Sequence, residues 1–153
     1  MQNNRIGLLI VDMQDGFPTA THKETIKEVI RQIKMSIQKH RPIFVLEYSK
    51  NGQTVDEIKD ILNMYHNVYY LKKYMNDGGD KIIKCLKNND INIDLFIVCG
   101  VNISYCVADT VHSLVKAYKK RVIVVKKACN CSENKNRAFE NLSIYQNKKV
   151  RLF

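Results

Sequence analysis

Two hydrophobic patterns alternate along the chain. The first is a short, nearly continuous apolar run, as in Arg5 to Val11, Ile43 to Leu46, Leu95 to Cys99 and Val122 to Val125. Such runs suit strands buried on both faces of a parallel sheet. Asn67 to Leu71 and Lys149 to Phe153 are weaker examples. The second pattern is a stripe at three- and four-residue steps, which marks one face of a helix. Ile26, Val29, Ile30, Ile33 and Ile37 form such a stripe between Lys23 and Lys39. Ile58, Ile61 and Leu62 follow a Thr54/Glu57 pair with the spacing of a capping box. Ile82, Ile83 and Leu86 mark a third helix, Val107, Val111, Leu114, Val115 and Tyr118 a fourth, and Ala138, Leu142 and Tyr145 a fifth.

Each strand and helix pair is roughly 30 residues long, the size of a βαβ unit. The expected architecture is therefore α/β: a three-layer, doubly wound, mainly parallel six-stranded sheet, with residues 1–153 forming one domain. In open sheets of this kind ligands bind beyond the carboxyl ends of the strands, where strand order reverses. Attention falls on Asp12 to Phe17, on Lys72 to Tyr74 and on Gly100 to Cys106, each of which follows an apolar run.

Composition changes this picture little. Apolar residues make up 45% and charged residues 26% of the chain, the balance of a globular protein. No apolar run approaches the roughly 20 residues of a membrane span. The start leads directly into a strand-like run, so no signal peptide is read and cytoplasm is the expected compartment. The net charge of +10 raises the question of nucleic acid. Its lysines, however, recur on helical patterns (Lys23, Lys27, Lys34 and Lys39; Lys81, Lys84 and Lys87; Lys116, Lys119 and Lys120), so they are read as solvated faces. Five cysteines, an odd number, suggest no disulfide framework. His22, His40, His66 and His112 show no ligand spacing with cysteine or carboxylate.

Cys106 carries the most chemistry. It follows a strand and a glycine and stands two residues after Ser104, a candidate helix N-cap. The sulfur is thus expected in the first turn of a helix, where the positive end of the dipole favours a thiolate and free amides can hold an oxyanion. Asp12 ends a fully apolar strand, so its carboxylate should pair with a cation or stay partly protonated. Either state suits a group that takes a proton from a thiol and returns it to a leaving amine. Lys72 and Lys73 are adjacent on a strand and point to opposite faces, so only one is expected in the site.

The segments Leu8 to Phe17 and Ile97 to Val111 resemble the two signature stretches of the isochorismatase-like cysteine hydrolases, a superfamily that includes nicotinamidases and N-carbamoylsarcosine amidohydrolase. Lys73 to Gly79 and Val122 to Cys129 extend the resemblance in the expected order. It implies a catalytic triad of Asp12, Lys73 and Cys106, with Lys73 preferred over Lys72 by its distance to Gly78 and Gly79. It implies also a cis peptide between Val101 and Asn102, and an oxyanion hole from the amides of Asn102 and Cys106. The reaction it implies is hydrolysis of a C–N bond in a small amide through a thioester on Cys106, in a homo-oligomer.

Some residues depart from the family pattern. The loop Glu47 to Gln53 lacks the histidine of the nicotinamidase metal site, so no metal or other cofactor is expected. Isochorismatases proper lack the cysteine, which argues against vinyl-ether chemistry here. Lys127 stands where many relatives have aspartate. Phe17, Tyr48, Tyr74 and Tyr105 are candidate pocket walls. The alternative is a catalytically silent member of the fold that serves as a binding or assembly module; the filled triad positions speak against it.

Overall fold

The computed structural model describes residues 5–153. Its centre is a six-stranded sheet in the order β3-β2-β1-β4-β5-β6, and every pairing in it is parallel. The strands are β1 (Ile6–Val11), β2 (Ile43–Tyr48), β3 (Val68–Lys73), β4 (Leu95–Val101), β5 (Arg121–Asn130) and β6 (Val150–Leu152). The helices are α1 (Lys23–Gln38), α2 (Asp56–Leu62), α3 (Gly79–Asn88), α4 (Ala108–Lys116) and α5 (Lys135–Asn141).

Alternation along the central strands splits the core in two. Leu8, Ile10, Ile43, Val45, Cys99 and Val101 face the apolar stripe of α1, including Val29 and Ile33. Leu9, Val11, Phe44, Leu46, Phe96 and Val98 face the opposite way, against Ile82, Leu86, Val111 and Leu114 of α3 and α4. This is the three-layer arrangement expected from strands that are apolar on both faces. The chain runs outward from β1 to β3 and then returns to the far side of β1 as β4. The reversal of strand order therefore lies between β1 and β4.

Three local expectations are corrected. Thr54 does not cap α2: its amide and hydroxyl both donate to Glu47 Oε2, at 2.9 and 3.0 Å, and Val55 is the N-cap residue. The fifth helix ends at Asn141, and Ile144 and Tyr145 lie in a separate 3-10 turn. β5 continues to Asn130, well past Val125, after a register shift against β4 between Val98 and Gly100.

Gly100 makes that shift possible. Its φ is +126°, and a Cβ there would lie 2.0 Å from the carbonyl oxygen of Val11. Only glycine fits both the angle and the approach. The consequence is that the ends of β1 and β4 converge, bringing Asp12 toward the segment that carries Cys106.

Candidate active site

Three strand ends supply the site. Asp12 follows β1 directly, in a left-handed conformation (φ +53°) that Asp tolerates better than most residues. Its amide donates to Leu46 O at 3.0 Å, which fixes it beside β2. Lys73 ends β3 and pairs in register with Tyr48 of β2. To reach Asp12 its side chain must cross two strand spacings of roughly 4.8 Å each, and only a long side chain spans that. It does so over Tyr48, whose ring centroid lies 4.3 Å from Nζ. Lys72 is exposed on the other face.

Lys73 Nζ stands 2.9 Å from Asp12 Oδ2, and both side chains are 0% exposed. The ammonium also donates to Met75 O at 3.0 Å. The carboxylate is less well served: neither oxygen is met by a fully aligned hydrogen-bond donor, so Lys73 and the Cys106 thiol act on it as close but imperfectly aligned neighbours. A buried acceptor with spare capacity is costly and calls for an explanation. Burial raises the Asp12 carboxyl above its ordinary value, against the pull of Lys73 and of the Cys106 thiol.

Beyond β4 the peptide between Val101 and Asn102 is cis. Ile103–Val107 then form a π-helical turn that leads into α4. The amides of Tyr105 and Val107 both donate to Asn102 O at 3.1 Å, the latter across five residues as a π-turn requires. Ser104 lies inside this turn and is not its N-cap; Asn102 is, and the Ser104 hydroxyl donates to Glu133. The Asn102 side chain is held in turn: its Oδ1 accepts from Thr19 Oγ1 at 2.8 Å, and Asn130 Nδ2 donates to Thr19 O at 3.0 Å.

Cys106 sits in this turn with 4% of its surface exposed. The helix end was expected to favour a thiolate, and the balance falls the other way. Burial and the neighbouring Asp12 charge push the thiol up to about 12, and Lys73 only partly offsets them. The resting sulfur is thus a thiol, and it faces Asp12. The thiol donates to Asn76 Oδ1 at 3.7 Å, a long contact suited to sulfur as a weak donor.

Several residues that organise the site carried no distinguishing signal in sequence. Gln14 is fully buried; its Nε2 donates to Tyr48 O and Gly52 O, each at 2.9 Å, and its Oε1 accepts from Tyr48 N at 2.6 Å. It thereby pins the residue whose ring covers Lys73. Thr110, one helical turn beyond Cys106, accepts from Gly78 N at 3.0 Å and donates to Asn76 O at 3.4 Å. Among the four candidate pocket walls, Phe17 packs edge-on against Tyr48 with centroids 6.4 Å apart, while Tyr74 and Tyr105 stand exposed. Lys127 is exposed as well.

Among the described residues, no group of three or more His, Cys, Asp or Glu side chains is placed to hold a metal ion. Glu47, whose charge is felt by Asp12, has its Oε2 taken by Thr54. No helix among the described residues is long and apolar enough to cross a membrane.

The family model of the isochorismatase domain matches residues 7–148, and the chain belongs to that family. Solved structures share its fold at low identity. The MAR1 ribonuclease from Caenorhabditis elegans superposes with a TM-score of 0.82 at 20% identity, over 99% of this chain and 77% of that one. The nicotinamidase SaPncA from Staphylococcus aureus gives 0.79 at 18%, over 98% and 99%. N-carbamoylsarcosine amidase from Thermoplasma acidophilum gives 0.78 at 18%, over 97% and 95%. Among curated proteins, no match to the sequence was found. The fold is that of the isochorismatase-family hydrolases.

Proposed function

We propose that the chain is a metal-independent cysteine amidohydrolase that cleaves a C–N bond of a small amide through a thioester on Cys106. One observation carries this reading: a buried carboxylate, ion-paired to Lys73 yet with unfilled acceptor capacity, faces a thiol at the carboxyl ends of β1 and β4. A carboxylate so placed is a base for that thiol.

On this reading the steps are as follows. The thiol proton passes to Asp12 as sulfur bonds to the amide carbon, and the carbonyl electron pair becomes an oxyanion. The amides of Asn102 and Cys106 are the donors assigned to it. Collapse re-forms the carbonyl and breaks the C–N bond, while Asp12 returns its proton to the leaving nitrogen. Water then gives its own proton to Asp12 and attacks the thioester, and the thiol is restored on departure. Lys73 keeps the carboxylate in place. A small amide as substrate and a homo-oligomeric enzyme belong to the same reading, which the two amide-hydrolysing neighbours support by analogy of fold.

The test is ammonia release from a panel of small aliphatic and aromatic primary amides. Release by the parent chain that vanishes in Cys106→Ala is the expected result. Release that survives the substitution contradicts the assignment.

The positive charge gives little support to a nucleic-acid hydrolase. The structure does gather Lys119, Lys120, Arg121, Lys148, Lys149 and Arg151 around one cleft of about 570 Å³. That cleft lies at the amino ends of β4 and β5, the opposite end of the sheet from Cys106. Three of these ammonium groups already bond backbone carbonyls: Lys119 to Lys116 O, Lys120 to Ile93 O and Lys149 to Lys119 O.

A further inference from the structure

The loop that joins β3 to α3 is held against the thiol from both ends. At one end Lys73 Nζ bonds Met75 O at 3.0 Å. At the other, Thr110 of α4 accepts from Gly78 N and donates to Asn76 O. The two glycines bring the backbone into direct contact with its neighbours. A Cβ on Gly78 would lie 2.6 Å from Leu46 Cδ1, and one on Gly79 would lie 2.4 Å from Ser113 Oγ. The loop is thereby fixed to α4, which continues the turn that carries Cys106, and the half-buried carboxamide of Asn76 is left 3.7 Å from the sulfur.

Three polar side chains therefore surround the thiol, and they differ in what they can do. Asp12 in its ionised form only accepts, and Lys73 only donates. A carboxamide does both, from its oxygen or from its NH₂ group. It also carries no charge, so it adds nothing to the repulsion that Asp12 exerts on a thiolate.

We propose that Asn76 is a further catalytic residue, the partner that follows the proton: its oxygen accepts the resting S–H, and its NH₂ turns to the sulfur once the proton has passed to Asp12. This rests on the cysteine-hydrolase reading, in which sulfur loses its proton once and regains it once per turnover. No bond to Asn76 is made or broken; the amide rotates, and in this step the proton passes from Cys106 to Asp12, never to Asn76. An aspartate at position 76 would accept from the thiol but never donate to the thiolate, and an alanine would do neither.

The experiment follows alkylation of Cys106 by iodoacetamide from pH 6 to 10 with peptide mass spectrometry, in an Asp12→Asn background. There the charged groups facing the sulfur reduce to Lys73, with Glu47 behind position 12. Cys85 and Cys131 serve as internal controls for folding. Adding Asn76→Asp is expected to move the Cys106 profile up by a pH unit or more, a loss of about tenfold at a fixed pH below the inflection. Adding Asn76→Ala is expected to give a smaller shift in the same direction. If both profiles superimpose on that of Asp12→Asn alone while the controls are unchanged, Asn76 has no such role. That result leaves the triad standing, whereas a Cys106 no more reactive than Cys85 in Asp12→Asn itself would count against the triad.

Discussion

Lys73 and Asp12, 61 positions apart in the chain, form an ion pair at 2.9 Å that is wholly out of contact with solvent. Breaking such a pair from one side leaves a buried charge without compensation, at a cost of about 3–5 kcal/mol. Lys73→Met should therefore lower unfolding stability by an amount of that order. Asp12→Leu combined with Lys73→Met should recover much of it, because the charge and its partner then leave together. Urea unfolding of the three chains measures the cycle, and a fully additive double variant would show that the two side chains do not interact.

The Asp12 charge also governs the thiol. It holds the Cys106 value up, in the same direction as burial, and Lys73 pulls it down. Asp12→Asn removes an upward influence and leaves the ammonium, so the thiol value must fall. Alkylation of Cys106 at pH 8 should become faster, by about tenfold for each unit of that fall. Slower alkylation would mean that the carboxylate activates the resting thiol by promoting its ionisation, which this geometry does not support.

Tyr48 covers the Lys73 ammonium with its ring face, and a desolvated cation over an aromatic face is stabilised by about 2 kcal/mol. Tyr48→Phe keeps the face and should behave like the parent. Tyr48→Leu fills similar space without it and should lose stability of about that size. Equal stability of the two variants would remove the ring from the account of how a lysine is tolerated there.

At Gly100 the prediction concerns assembly of the site. Alanine at this position meets both a φ of +126° and a contact of 2.0 Å with the Val11 carbonyl. Gly100→Ala should fail to yield a folded chain, or should part β1 from β4 and abolish Cys106 chemistry. A variant with parent-like circular dichroism and reactivity would show that the close approach of the two strands is dispensable.

The layers of the fold were legible because strands such as Leu8 to Val11 are apolar at every position and α1 at only one stripe, and those two periods do not mimic each other. That Asp12 would either pair with a cation or stay partly protonated was legible too, since a carboxylate ending such a strand has no water to turn to; the choice between them was not. The state of Cys106 was not. Its position at a helix start argues for a thiolate, and only coordinates show how closely the carboxylate and the packing around it oppose that. Nor does spacing reveal that Thr54 serves Glu47 rather than its own helix, because the competing partner is supplied by a neighbouring strand. Asn76, Thr110 and Gln14 are ordinary polar residues in sequence. Their importance comes from which groups the fold leaves beside them.

The central claim, that Cys106 forms an acyl intermediate whose hydrolysis needs Asp12, is tested most directly with p-nitrophenyl acetate, an activated acyl donor whose leaving group needs no proton. The measurement is intact-protein and peptide mass spectrometry of the parent, Asp12→Asn and Cys106→Ala chains after mixing. The account predicts turnover by the parent, a stable single acetyl group on Cys106 in Asp12→Asn, and none at that position in Cys106→Ala. An Asp12→Asn chain that turns over like the parent, or acetyl groups found only on surface lysines, would contradict it.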